Sequence, residues 1–417
     1  MSAREPGAVL YRTAHRLWGL LPRDRRQALF YALTGAVAPR PDRAPAGGAP
    51  VTVAGLLSTT TGLGEAARLC LGALTSLGLP TRSIDLSAAF DQADMPGGAP
   101  VTAPPPSDGE GGTLVVHINS PYLPFALWHI GRQRVRGRRV VGYWAWELPG
   151  VPASWQRGLP FVHEIWALSR FTADAIAPIA TQPVRVVPLP LAPPRPAAVD
   201  RAGFGLPDDA FVVMAFFHMG SSFNRKNPLA AVRAFRAAFG DDPRAVLVLK
   251  VVDAAVAPWA RRRLEEAVAG AGNIRVVEQR LTGGEVTALL ACADVVLSLH
   301  RAEGFGLVPA QGMQLGRAVV ATGWSGNLDF MDADTSVLVG YRMVPVDDPQ
   351  GTYDVAGQMW ADPDVEEAAA ALKALRDDPE RRRALGARAA RKAETVFGLD
   401  AYRKAIETGC GAAFFSG

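Results

Sequence analysis

The stretch "DVVLSLHRAEGFGLVPAQGMQLG", residues 294–316, reads as strand, glycine turn and helix in immediate succession. "DVVLSL" is a short apolar run of the kind that a parallel sheet buries on both faces. "HRAEGFG" leaves its carboxyl end, and Pro309 suits the first turn of a helix running on through "AQGMQLG". Gly304 and Gly306 let the backbone come close to a ligand, and the free amides of a helix start favour an anion such as a phosphate. A plain strand-to-helix connection has no need of a carboxylate, Glu303, held beside two glycines. The stretch predicts an α/β fold with a ligand at the carboxyl end of a strand.

The pattern extends outward from there. "AFVVMAFF" (210–217), "RAVLVLKVV" (244–252) and "NIRVVE" (273–278) are strand candidates, each followed by a helix-like stretch. Earlier in the chain, "VTVAGLL" (51–57) leads through the glycine turn "TTTGLG" into the helically spaced "EAARLCLGALTSLG". "TLVVHI" (113–118), "RVVGYWAW" (139–146), "EIWAL" (164–168) and "VRVVPL" (184–189) continue that first series. Between the two series, the proline-rich "PLAPPRPAAVDRAGFGLPDD" reads as an interdomain linker with a hinge near residues 190–206. The expected organisation is a basic N-terminal segment with a Pro/Gly-rich tether over 1–50, a first α/β domain over 51–195, a second over 206–395 and a C-terminal helix over 396–417. Two such domains bring their strand ends around a shared cleft.

Composition agrees with this. The chain has 417 residues, 49% hydrophobic and 20% charged, enough for two globular cores. A net charge of +4 spread over that length gives no reason to expect nucleic acid, while an anionic ligand or membrane surface fits. Cys70, Cys292 and Cys410 are an odd, widely spaced set without a CxxC pair, which points to reduced thiols in a cytoplasmic protein. The sequence holds no metal-ligand cluster. It also has neither a membrane-spanning apolar run nor a signal peptide's apolar core.

The opening stretch, continued as "HRAEGFGL…Q…LGRAVVATGWSGN", resembles the E-x7-E region of the retaining family-4 glycosyltransferases, which have the GT-B fold of two Rossmann-like domains. "TGLGEAAR" resembles their first glycine loop, "RKNPLAAVRAF" their phosphate-binding segment and "MWADPDVEEAAAAL" a C-terminal stretch of bacterial members. The resemblance implies a nucleotide diphosphate sugar as co-substrate, a hydroxyl acceptor and no metal or other cofactor. It places Glu303 on hydroxyls of the transferred sugar, the amides of Gly304, Phe305, Gly306 and Leu307 against sugar and diphosphate, and Lys226 on the diphosphate. Arg225 is a substitute for a family arginine that usually lies several residues earlier, where this chain has Ser221 and Ser222. Gly62 and Gly64 would lie at the cleft and touch donor or acceptor.

The sequence departs from the family pattern in several places. Gln311 stands where an acid usually holds the nucleotide ribose; an amide keeps one acceptor and one donor group for a diol, but loses the charge-assisted bond. Gly312 replaces the usual alanine. A family histidine near the reacting sugar is absent after the strand "VVGYWAWELPG", whose Trp144, Trp146 and Glu147 are acceptor candidates or core residues. His117 on a neighbouring strand reads as a core histidine.

The expected activity is transfer of a hexose to a hydroxyl acceptor. The alternative is a protein that binds sugar nucleotides without turnover, and an epimerase acting on the free nucleotide sugar is a third reading, disfavoured by the Glu303 segment. Leu17, Trp18, Leu20, Leu21 and Phe30, with the arginines of "GRQRVRGRR", are candidates for peripheral contact with anionic lipid at the inner face of the membrane, against a packed helix and a solvated loop.

Overall fold

The computed structural model describes residues 22–45, 47–92, 103–410 and 414. It contains two six-stranded, all-parallel sheets and a separate two-stranded hairpin. The first sheet has the order β2-β1-β3-β4-β5-β6, formed by Val51–Gly55 (β1), Thr81–Asp85 (β2), Gly112–His117 (β3), Arg138–Trp144 (β4), Glu164–Ala167 (β5) and Val184–Val186 (β6). The second has the order β12-β11-β10-β7-β8-β9, from Phe211–His218 (β7), Ala245–Val252 (β8), Ile274–Val277 (β9), Val295–Ser298 (β10), Ala318–Thr322 (β11) and Val337–Val339 (β12). Each is a Rossmann-like sheet, as the apolar runs predict: β1, β3 and β11 are buried along their whole length, as strands covered by helices on both faces must be. The sequence reading passes over β2, whose "TRSID" is a polar edge strand.

In the second sheet the strand order reverses between β7 and β10. The loops leaving these two strands therefore diverge, and a crevice opens at their carboxyl ends. Phe223–Lys226 (α5) and Pro228–Phe239 (α6) follow β7, and Leu307–Gln314 (α9) follows β10; Pro258–Val268 (α7) and Gly283–Ala291 (α8) cover the sheet between them. In the first domain Gly62–Ser76 (α2), Leu123–Ile130 (α3) and Arg170–Ile176 (α4) play that part. An antiparallel hairpin, Tyr341–Pro345 (β13) with Met359–Pro363 (β14), adds a flap to the second domain that the sequence patterning does not announce.

Two segments tie the domains together, the linker and the C-terminal helix. Arg201 in the linker pairs with Asp294 and donates to the carbonyls of Asp208, Ala210 and Cys292, fastening the linker to the second domain. Val365–Asp377 (α10) and Pro379–Phe397 (α11) close the second domain, and Leu399–Cys410 (α12) returns to the first, where the Tyr402 hydroxyl reaches Cys70 Sγ on α2 at 3.2 Å. Cys70 and Cys292 are buried free thiols.

The expected tether is held in place over its described residues. Arg23–Val37 (α1) lays Tyr31, Thr34 and Ala38 against the first domain, with Phe30 and Tyr31 packed on the rings of Tyr122 and Phe125 near α3. Asp42 accepts from the Gly137 amide at 2.8 Å, and the Gly48 carbonyl accepts from Thr113 Oγ1 at 2.9 Å. Proline and glycine prevent regular structure here without preventing attachment. Leu17, Trp18, Leu20 and Leu21 lie outside the described residues.

Candidate active site

The crevice is built by two loops that knit to each other. After β7, Ser222 adopts a positive φ of 63° and caps α5 by accepting from the Arg225 amide; Asn227, at φ 51°, ends it and donates to the Leu299 carbonyl at 3.1 Å. Arg225 is buried, with its guanidinium donating to the carbonyls of Ala302 (2.8 Å) and Ser221 (3.0 Å), so the loop after β10 is fixed by a side chain from the loop after β7. Gly306, at φ 98°, turns the chain into α9, a conformation few side chains tolerate. The Glu303 amide donates to Ser325 Oγ at 2.8 Å, and its carbonyl accepts from the Gly326 amide at 2.9 Å.

Glu303 is thereby aimed at Lys226 Nζ, with which it forms a short ion pair, and at Arg225 Nη1, 3.4 Å away. Burial by itself would raise the carboxyl's pKa; Lys226, Arg225 and nearby His300 outweigh it and hold the group down at about 2. Burial also lowers Lys226, against the opposing pull of Glu303. His300 is buried between Ser298 and Asn327, and burial depresses its pKa. The cluster thus concentrates positive charge beside the amino terminus of α9 and neutralises it with one carboxylate. The space beside Lys226 and Glu303 is about 20 Å3, room for a water molecule.

The first domain presses on this turn from across the cleft. Ser169 Oγ caps α4 and also donates to the Gly304 carbonyl at 2.6 Å, while Thr172 Oγ1 donates to the Trp146 carbonyl at 2.9 Å. A Cβ on Gly304 would stand 3.0 Å from that same Trp146 carbonyl, so a side chain here would crowd the approach of the two domains. The Tyr353 hydroxyl, from the loop joining β13 to β14, donates to Glu147 at 2.9 Å, and its ring lies under the Arg225 guanidinium at 5.3 Å. Ser169, Thr172, His300, Ser325 and Tyr353 were not singled out from the sequence. Only Ser169 leaves a trace there, as a capping serine directly after a strand.

Arg225, Lys226, Glu303, Gly304, Gly306 and Leu307 come together at the switch between β7 and β10, and the Phe305 ring turns inward onto Phe330 and Phe397. Gln311 lies in the second turn of α9, half-buried and with no side-chain hydrogen bond among the described residues. Gly312 has a packing explanation, because a Cβ there would meet Val296 Cγ2 on β10 at 2.9 Å. Gly62 faces open space at the start of α2, whereas Gly64 is required by the turn itself, where a side chain would strike the Thr59 hydroxyl and the Leu56 carbonyl.

Glu147 does reach the cleft, with its Cγ 3.6 Å from the Gly304 Cβ position. Trp144 is a correction: it is wholly buried against Trp155 in the first domain's core and has no surface to offer an acceptor. Trp146 is 5% exposed, its indole N–H bound to the Gly150 carbonyl and its ring packed on Tyr353. His117 is a core histidine, with burial pushing its pKa down to about 3. Among the described residues no group of His, Cys, Asp and Glu could hold a metal ion, and no helix is long and apolar enough to cross a membrane.

Residues 169–397, more than half of the chain, match the family described as "Family 4 Glycosyltransferase in conflict systems". The chain belongs to that family. A curated relative, the D-inositol 3-phosphate glycosyltransferase of Kineococcus radiotolerans, is 30% identical over 263 residues, covering 54% of this chain and 53% of the relative; the match spans about half the length of each. Among solved structures, sucrose-phosphate synthase from Thermosynechococcus elongatus superposes with a TM-score of 0.61 at 17% identity, over 86% of this chain and 97% of that one. Anabaena HepE in complex with UDP-glucose gives 0.60 at 13% identity, over 86% and 98%. At such identities these neighbours show the fold, which over the matched 86% of the chain is GT-B, two Rossmann-like domains around a cleft. The matched region contains both cleft loops, the Glu303 turn and Ser169.

Proposed function

We propose that this family-4 member is a retaining glycosyltransferase that moves a hexose from a nucleoside diphosphate sugar to a hydroxyl acceptor. The observation that carries the reading is the buried cluster of Glu303, Lys226 and Arg225 beside the α9 amino terminus, at the switch point of one domain and facing the other. The anomeric carbon–diphosphate bond breaks as the acceptor oxygen bonds to the same face of the sugar, and the acceptor proton passes to the departing diphosphate. Lys226, Arg225 and the amides of Gly304 to Leu307 stabilise the charge that collects on that diphosphate, and this preorganised stabilisation is the largest contribution to rate. Glu303 orients the sugar through its hydroxyls. For the diphosphate to take Lys226, it must displace Glu303 from the present ion pair, which frees the carboxylate for the sugar. Gln311 faces the ribose.

HepE was solved with UDP-glucose, and the Kineococcus relative is named for an inositol phosphate acceptor. UDP-glucose with inositol 3-phosphate is therefore the first pair to assay, followed by GDP- and ADP-sugars and other polyols. Release of nucleoside diphosphate together with an anomerically retained product, read by NMR, supports the proposal. Binding of nucleotide without release of diphosphate from any donor favours the alternative, a sugar-nucleotide-binding protein, whose motivation is Gln311, Gly312 and the absent family histidine. The site, as a cytoplasmic enzyme's, would work without a metal; activity that chelator abolishes and a divalent cation restores would overturn that part.

A further inference from the structure

Five of the eleven exposed large apolar side chains among the described residues gather on one face of the first domain: Leu29, Leu33, Val37, Tyr122 and Trp128. Leu29, Leu33 and Val37 recur every fourth residue along α1, on the edge of the helix that also carries Phe30. Phe30 packs on Phe125 at 5.2 Å, and Phe125 packs on Trp128 at 6.0 Å, so the α1 edge and α3 form a continuous surface. Leu33 is 55% exposed, Val37 59% and Trp128 50%, values at which solvation of so much apolar area is unfavourable and a partner is implied.

Charge identifies the partner. Arg25 on α1, and Arg132 and Arg136 just beyond α3, are exposed and have no acidic partner among the described residues; the neighbouring Arg134 pairs with Asp108. Residues 1–40 carry seven arginines against two acids. An apolar strip with an indole at its edge and unpaired arginines around it matches the layered chemistry of an anionic bilayer, whose acyl boundary takes the leucines and whose headgroups take the guanidiniums. A second copy of the chain would bring the same arginines face to face, and the N-terminal residues are themselves basic; both are disfavoured by repulsion.

We propose that this face of the first domain is a membrane-docking surface for anionic lipid. The inference does not depend on glycosyl transfer.

The test is co-sedimentation of the full chain with vesicles of phosphatidylglycerol in phosphatidylcholine, and with phosphatidylcholine alone. Binding should require the anionic lipid and weaken as salt is raised. The Arg132→Gln/Arg136→Gln variant should bind more weakly by roughly fivefold for each charge removed, and Leu33→Asp/Trp128→Asp should abolish binding. These side chains are exposed, so thermal melting should be unchanged, and Trp128→Phe should remove a blue shift of tryptophan fluorescence seen on vesicles. Failure of the full chain to bind anionic vesicles, equal binding to both vesicle types, or undiminished binding of the Leu33→Asp/Trp128→Asp variant would each overturn the proposal. So would a dimer in sedimentation equilibrium that Leu33→Asp/Trp128→Asp dissociates, because a second copy would then cover the surface.

Discussion

Glu303 and Gln311 lie eight residues apart on the same turn and helix, one with two cationic partners and the other with no side-chain partner among the described residues. Glu303→Gln should lower turnover about 100-fold while leaving nucleotide affinity nearly unchanged, because the proposal sets this carboxylate on the sugar and not on the nucleotide. Equal turnover would remove it from the site. The same substitution has a pH signature. The carboxyl is held below its ordinary value of 4.5, at about 2, so its contribution to stability is fully present above 4.5 and is lost as pH falls through about 2. The stability gap between wild type and Glu303→Gln, read from urea midpoints, should therefore narrow across that window. Gln311→Glu should tighten nucleotide binding roughly tenfold, equivalent to regaining about 1.4 kcal/mol of charge-assisted bonding to the ribose. Calorimetry showing no gain would mean that Gln311 does not face the ribose. Glu303 was legible because a carboxylate beside paired glycines after a strand has few structural uses, and Lys226 only through the resemblance of "RKNPLAAVRAF" to the family's phosphate-binding segment. Ser169 and Tyr353 were not, because their meaning lies in what stands opposite them across the cleft.

Strands buried on both faces announce themselves by composition, which is why β7, β8 and β10 could be read directly. Edge elements such as β2 and the β13–β14 hairpin are half-solvated and carry no such run. Helix contacts are harder still. By propensity alone Gly312 weakens α9, since glycine costs a helix about 1 kcal/mol against alanine. Its place against Val296 reverses the sign: Gly312→Ala should destabilise by about 1–3 kcal/mol through overpacking of α9 on β10, with a lowered melting temperature as the readout. A raised melting temperature would restore the propensity argument. α1 was similarly read as a detached segment, because its mixed charge hides the inward row of Tyr31, Thr34 and Ala38. With Tyr31 5% exposed, Tyr31→Ala should cost the first domain about 3 kcal/mol in denaturant unfolding, whereas a tethered helix would lose nothing.

Beside shared apolar packing, polar contacts join the two domains at the cleft: Ser169 on the Gly304 carbonyl, the Arg170 amide on Asp329 at 2.6 Å, the Gly150 amide on Gln358 at 2.9 Å and Tyr353 on Glu147. None of these could be inferred from either domain's sequence pattern, because each domain satisfies its own periodicity without them. The Lys226–Glu303 ion pair and the Tyr353–Glu147 hydrogen bond engage side chains beside which the proposed donor would lie. If these contacts hold the cleft closed against the donor, the apparent affinity is lowered by the fraction of molecules that are closed. Tyr353→Phe removes one such contact at a phenol that the proposed chemistry does not use. If the hydrogen bond contributes about 1 kcal/mol to closure, nucleoside diphosphate should bind the variant up to fivefold more tightly, and small-angle scattering of the ligand-free variant should show a larger radius of gyration. Weaker binding would carry the opposite meaning: the Tyr353–Glu147 contact would then belong to the liganded state, and closure would follow donor binding rather than oppose it.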